Sequence, residues 1–77
     1  MEIKVINYSK ILYQGDIISI IAPGVYGYFQ VLENHDHFIS ILGYGIIKLV
    51  FGNGNRKKMK IKGGIFRIKN NSIIVIL

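Results

Sequence analysis

The sequence predicts an all-β protein: a small antiparallel β-sandwich or flattened barrel of about 8–10 short strands. Three observations carry this. Ile, Val, Tyr and Phe dominate, whereas alanine occurs only at Ala22, so the residues that suit strands are abundant and the best helix former is nearly missing. Glycine recurs before any three-turn helical window completes. Gly-Asp, Pro-Gly, Asn-Gly, Gly-Gly and Asn-Asn pairs punctuate the chain at roughly the 8–12-residue spacing of sandwiches and barrels.

The elements follow in order. Glu2 to Ile6 alternates, with Ile3 and Val5 on one face and Glu2 and Lys4 on the other. Lys10 to Tyr13 is a short second strand, and Gly15-Asp16 a turn. Ile17 to Ala22 carries no charge, as a strand covered on both faces does. Pro23-Gly24 reads as a turn. Tyr28 to Leu32 and Phe38 to Leu42 are strands, with a turn at Gly43 to Gly45. Ile46 to Phe51 runs into Asn53-Gly54, the signal for a type I′ hairpin, in which both central residues reach positive φ. Lys57 to Lys62 returns, with Lys58, Lys60 and Lys62 on one face and Met59 and Ile61 on the other. Gly63-Gly64 permits a sharp bend. Ile65 to Lys69, a turn at Asn70-Asn71, and Ser72 to Leu77 complete the pattern. The last strand is wholly apolar and belongs inside a sheet, because an exposed edge of that kind would aggregate.

At 77 residues the chain is expected to form a single domain over residues 1–77, and a chain this short is marginal alone. It has no cysteine, so neither disulfides nor a Cys-based zinc site can compensate. The apolar fraction, 51%, stands at the top of the globular range and implies that some apolar surface faces a partner. The formal charge of +6 suits nucleic acid, anionic lipid or an acidic protein. An AT-rich coding bias toward Ile, Lys and Asn accounts for it more plainly. No basic-then-apolar leader is visible, and the longest apolar stretch, Phe38 to Phe51, is interrupted by Gly43, Gly45 and Lys48. The expectation is a soluble cytoplasmic protein, or one held at a membrane through a partner.

Catalytic chemistry is hard to assemble. His35-Asp36-His37 is the only metal-like grouping. Two histidines of an extended segment can face the same way, yet a structural zinc site needs four ligands; a solvated loop with histidines bonded to backbone is the plainer reading. Ser9, Ser19, Ser40 and Ser72 lack a Gly-x-Ser-x-Gly setting. Glu2, Asp16, Glu33 and Asp36 are the only acids. Gly24-Val25-Tyr26-Gly27 lacks the Gly-Lys-Ser/Thr ending of a phosphate loop. No catalytic residue, metal or cofactor is expected. Arg56, Lys57, Lys58, Lys60 and Lys62, with Tyr26, Tyr28 and Phe29 elsewhere, leave one alternative, a basic β-barrel that binds single-stranded nucleic acid. A solvated strand face whose lysines block edge pairing explains the same residues.

An ordered set of residues resembles a known family. Tyr13-Gln14-Gly15 is followed by Pro23, Gly24, Gly27, Phe29, Val31, Leu32, Asn34, His35, Ser40, Leu42, Gly45 and Ile47, then Gly63-Gly64-Ile65, Asn70-Asn71 and Val75-Ile76-Leu77. In order and spacing this resembles the N-terminal β-sandwich domain of the epsilon subunit of F-type ATP synthases, from Glu2 to Leu77. Three departures stand out. Glu33 and His37 occupy positions where the family often has proline, and Tyr28 replaces a common acidic residue. The family's C-terminal helical pair has no counterpart in these residues, so the resemblance implies a form without the inhibitory helices.

The resemblance further implies a non-catalytic rotor component, peripheral to the cytoplasmic face of a bacterial membrane and part of a hetero-oligomer. Its partners would be the gamma subunit and the ring of c subunits, with no direct binding of nucleic acid. Tyr26, Tyr28, Phe29, Asn34 and His35 are then expected at the ring. Asn7 and Ser40, with neighbouring apolar residues, are expected at gamma. Gly24, Gly27, Gly45, Gly63 and Gly64 are expected to be structural.

Overall fold

The computed structural model describes residues Met1–Leu77 and contains nine strands and no helix. They are β1 (Glu2–Asn7), β2 (Lys10–Asp16), β3 (Ser19–Gly24), β4 (Gly27–Leu32), β5 (Phe38–Leu42), β6 (Gly45–Val50), β7 (Arg56–Ile61), β8 (Gly64–Lys69) and β9 (Ser72–Ile76). Hydrogen bonding links them in the order β2-β1-β9-β8-β5-β3-β6-β7, with β4 on the other edge of β3. Between β5 and β3 the only paired residues are Leu42 and Gly24. The sheet folds over at that point into two layers, β2-β1-β9-β8-β5 and β4-β3-β6-β7.

Alternation decides which side chains fill the space between the layers. Ile3 and Val5, Ile73 and Val75, Phe66 and Ile68, and Leu42 come from the first layer. Ile20 and Ala22, Val31, Ile47 and Leu49, and Ile61 come from the second. Phe66 is fully buried, and the Phe29 ring meets it edge-on at 5.1 Å across the layers. Phe38 completes this aromatic cluster, 5.2 Å from Phe29.

The chain is all-β as the sequence predicts, and its pairings are antiparallel with one exception. β1 and β9 run parallel, from Glu2↔Ser72 to Ile6↔Ile76. β9 therefore lies between β1 and β8, inside the sheet, as its apolar sequence requires.

Three turns differ from expectation. Gly15 and Asp16 continue β2, paired with Ile3 and Glu2. Pro23 and Gly24 lie inside β3, and the turn falls at Val25-Tyr26. Proline is tolerated there because its missing N–H falls where β3 exchanges β6 for β5 as neighbour, while its carbonyl accepts from Gly43 N at 2.8 Å. Asn53-Gly54 does not form a type I′ turn. Gly54 N donates to Phe51 O at 2.9 Å, and only Gly54 (φ 87°) reaches positive φ in that loop. The two-residue loop with both residues at positive φ is Asn70-Asn71 (φ 52° and 61°), between the paired Lys69 and Ser72. Asparagine tolerates this region because its short polar side chain bonds locally.

Candidate functional site

The outward faces of the two layers have opposite chemistry. On the first layer, pairing brings Ile41, Ile65, Ile76, Ile6 and Ile11 into one row across β5, β8, β9, β1 and β2. The adjacent row is Ile39, Arg67, Ile74, Lys4 and Gln14. Ile39 is 69% exposed and Ile41 62%, with Ile11, Ile65 and Ile76 near one half. Seven isoleucines thus form one contiguous outward patch, where isolated apolar side chains would be unremarkable. Lone residues could not reveal it: these positions are scattered from 6 to 76, and only the register aligns them. The available signal was a set of strands apolar on both faces, as in β9.

On the second layer, Lys48 stands directly opposite Lys58, and Ile46 and Val50 opposite Lys60 and Arg56. Of the lysines predicted to share a face, Lys58 and Lys60 do so on β7 and Lys62 lies one residue past its end, while Met59 and Ile61 turn inward. Lys57 reaches over the Tyr13 ring at 5.4 Å.

The residues expected at the ring do not form one surface. Tyr26 is fully exposed at the tip of the β3–β4 turn. Tyr28 is 58% exposed nearby, and its hydroxyl accepts from Ile46 N at 3.0 Å. Phe29 points inward, against Phe38 and Phe66. Asn34 and His35 follow the far end of β4, roughly 20 Å from its start at strand rise. Asn34 adopts φ 65°, and its N–H donates to Asn71 Oδ1 at 3.0 Å. His35 Nδ1 lies 2.8 Å from Asp36 O, and His37 Nε2 lies 3.5 Å from Asn70 Oδ1. The two histidines thus have separate neighbours. Glu33, in place of the proline expected by resemblance, lies 3.8 Å from the N-terminal ammonium, which also donates to Ile17 O.

For gamma, Asn7 ends β1 one residue beyond Ile6 of the isoleucine row. Ser40 lies between Ile39 and Ile41 but on the opposite face of β5, and its hydroxyl donates to Ile41 O at 3.3 Å. It helps line a groove of about 480 Å³ with Val25, Tyr26, Phe29, Phe38 and Ile39.

Among the glycines, two show why a side chain is excluded. A Cβ on Gly45 would lie 2.6 Å from Pro23 Cβ. On Gly64 it would overlap the Ile76 carbonyl oxygen and come within 3.1 Å of Leu77 Cδ2. Gly24 lies under the Phe29 ring, and Gly27 and Gly63 flank strand starts.

These features fit an adhesive sandwich, and comparison with known proteins assigns it to a family. The model of the ATP synthase delta/epsilon chain β-sandwich domain matches residues 1–77. The ATP synthase epsilon chain of Leptospira interrogans serovar copenhageni (strain Fiocruz L1-130) is 38% identical over 76 residues, 99% of this chain and 59% of that one. The epsilon chain of Chlorobaculum tepidum is 31% identical over 74 residues, covering 96% of this chain and 84% of that one. A chain in the cryo-EM structure of Euglena gracilis mitochondrial ATP synthase superposes with a TM-score of 0.90 at 17% identity, covering 96% of this chain and 48% of that one. One in the central stalk/c-ring structure of Tetrahymena thermophila mitochondrial ATP synthase gives 0.82 at 15%, over 97% and 60%. These two likenesses establish the fold. The chain spans about 59% of the length of the Leptospira relative. It belongs to the ATP synthase delta/epsilon chain β-sandwich domain family.

Proposed function

We propose that this chain is a non-catalytic rotor component of an F-type ATP synthase. It joins the gamma subunit to the c-ring, so that rotation driven by proton translocation reaches the catalytic head. The observation that carries the reading is the isoleucine patch. A chain of this size that leaves seven isoleucines contiguous and outward has a surface suited to burial against another protein. The gamma subunit is its proposed occupant, with Asn7 at the border and Ser40 behind the β5 edge. The proposed ring contact narrows to Tyr26 and Tyr28 at the other adhesive end. Asn34 and His35 hold the shape of the opposite end, and Phe29 acts through the core.

Torque transmission needs a stiff body with two grips rather than a reactive group. Co-purification of the chain with its cognate gamma subunit, followed by addition of the isolated c-ring, tests the reading. Retention of the ring only when both polypeptides are present supports it. Folded chain and folded gamma that never associate would sink it.

A further inference from the structure

We infer that the ring contact extends over the whole turn end of the sandwich: Tyr8 and Tyr44 join Tyr26 and Tyr28 in it, and the pocket beside Tyr44 receives a carboxylate of the ring. This deepens the reading above and rests on its assignment of the Tyr26 end to the c-ring.

Register gathers four connections at one end. Ile6 pairs Ile76, which pairs Ile65, and Leu42 pairs both Gly64 and Gly24. Gly24 pairs Gly27, and Gly45 pairs Ile61. The β1–β2, β3–β4, β5–β6 and β7–β8 connections therefore emerge together. Three of them carry a bare tyrosine: Tyr8 is 92% exposed, Tyr26 fully and Tyr44 80%. Lys62 and Gly63 form the fourth.

The charges divide between the ends. All four acids stand at the other one. Glu2 and Asp16 pair across β1 and β2, beside the Asn70-Asn71 turn. Glu33 and Asp36 lie on the loop after β4. The turn end holds Lys10, Lys60 and Lys62 with no carboxylate. Lys60 and Lys62 line a shallow pocket of about 350 Å³ with Tyr44, Gly45, Ile46 and Ile61. Two ammonium groups over an apolar floor suit an acidic side chain of a partner, and such complementarity selects the partner and its orientation.

Tyr8 adds an independent observation. Tyr8 and Ser9 form a two-residue loop between the paired Asn7 and Lys10. Only Tyr8 reaches positive φ there, at 56°, as in a type II′ turn, whose first position favours glycine. The other non-glycine residues at positive φ are asparagines, Asn34, Asn70 and Asn71, whose short side chains bond locally. Tyrosine has no such compensation, and its ring is not among the side chains packed on the core. A costly backbone conformation under a bare ring points to a role outside the fold. Tyrosine suits a contact anchor, offering a large amphipathic surface with only two side-chain torsions to fix.

The test immobilises the complex of gamma with the 77-residue chain and titrates detergent-solubilised c-ring onto it. Tyr8→Ala and Tyr44→Ala should each weaken ring binding at least about fivefold, with gamma capture unchanged. Lys60→Gln with Lys62→Gln should weaken it about fivefold. Arg56→Gln with Lys69→Gln, an equal charge loss at the opposite end, should leave it within about twofold. Tyr8→Gly should weaken ring binding while raising the urea midpoint, because glycine accepts the left-handed conformation; a fall in both would assign Tyr8 to the fold and overturn its place in the contact. Wild-type ring affinity in the Tyr8→Ala and Tyr44→Ala variants, or equal losses from the two cation pairs, also overturns the inference. A wild-type complex that holds the ring through Tyr26 and Tyr28 alone refutes this inference and leaves the rotor reading standing. A chain that binds neither gamma nor ring refutes both.

Discussion

Truncating the centre of the isoleucine row should weaken the proposed gamma contact far more than it weakens the fold. Ile41 and Ile65 are cross-strand partners, 62% and 48% exposed. Full burial of an isoleucine is worth about 1.5–3 kcal/mol. The exposed share is what a partner can still bury, roughly 1–2 kcal/mol at Ile41 and about 1 kcal/mol at Ile65. Alanine keeps one methyl group, so Ile41→Ala with Ile65→Ala should cost about 2 kcal/mol of association, close to 30-fold in Kd. The two sites touch, so their effects need not add. The share already buried sets the folding cost at about 1 kcal/mol per site, against a total of about 4–12 kcal/mol for a domain of this length. Isothermal titration of gamma reads the first quantity and urea denaturation the second. Leu32→Ala is the control, because Leu32 is 55% exposed but lies on the other layer, paired with Ser19. Unchanged affinity in the double variant, or an equal loss from Leu32→Ala, refutes the assignment of this face.

Other consequences are as direct. Gly64→Ala should destabilise the domain by about 1–3 kcal/mol, since the new methyl meets backbone of Ile76 rather than a side chain that can swing away; a denaturation midpoint equal to wild type contradicts this. Asn71→Ala should cost about 2 kcal/mol, combining a left-handed conformation with the lost Asn34 N–H bond. Asn71→Gly should recover the conformational part only, and identical denaturation curves for the two variants would rule that division out. Moving from ~0.01 M to ~0.15 M salt should raise the melting temperature, because screening relieves repulsion among cations that have no acidic partner. A fall would mean that attractive ion pairs hold the fold.

The strands were legible because period-2 alternation acts within a few residues. Ile3 and Val5 share a face as read and turn it inward, and so do Met59 and Ile61. Turn positions were harder, since local signals compete with pairing. Pro23-Gly24 looks like a break, yet a neighbour-exchange point inside β3 accommodates it. Asn53-Gly54 has the composition of a type I′ turn, but the longer loop from Phe51 to Asn55 closes with a bond between those residues instead. The parallel β1–β9 pair and the isoleucine row were illegible for a deeper reason. Both depend on register between residues about seventy positions apart, such as Ile6 and Ile76, and no window of sequence contains that information. The set expected at the ring split for a local reason instead. Tyr26 and Asn34 are close in sequence, but one strand separates them end to end.

The parallel pairing of β1 with β9 also bears on the order in which a ribosome delivers this domain. β1 meets β2 as soon as both emerge, and β5 meets β8 after that. Between them stays a gap that only β9, the last of the nine strands in chain order, can fill. Until it does, the isoleucine row exists as two fragments, Ile41 with Ile65 and Ile6 with Ile11. Ile76 bridges them. Long-range closures of this kind come late in folding. The isoleucine face is therefore complete only once β9 has docked, and a partner that recognises the whole row passes over chains in which that strand is still missing from the sheet.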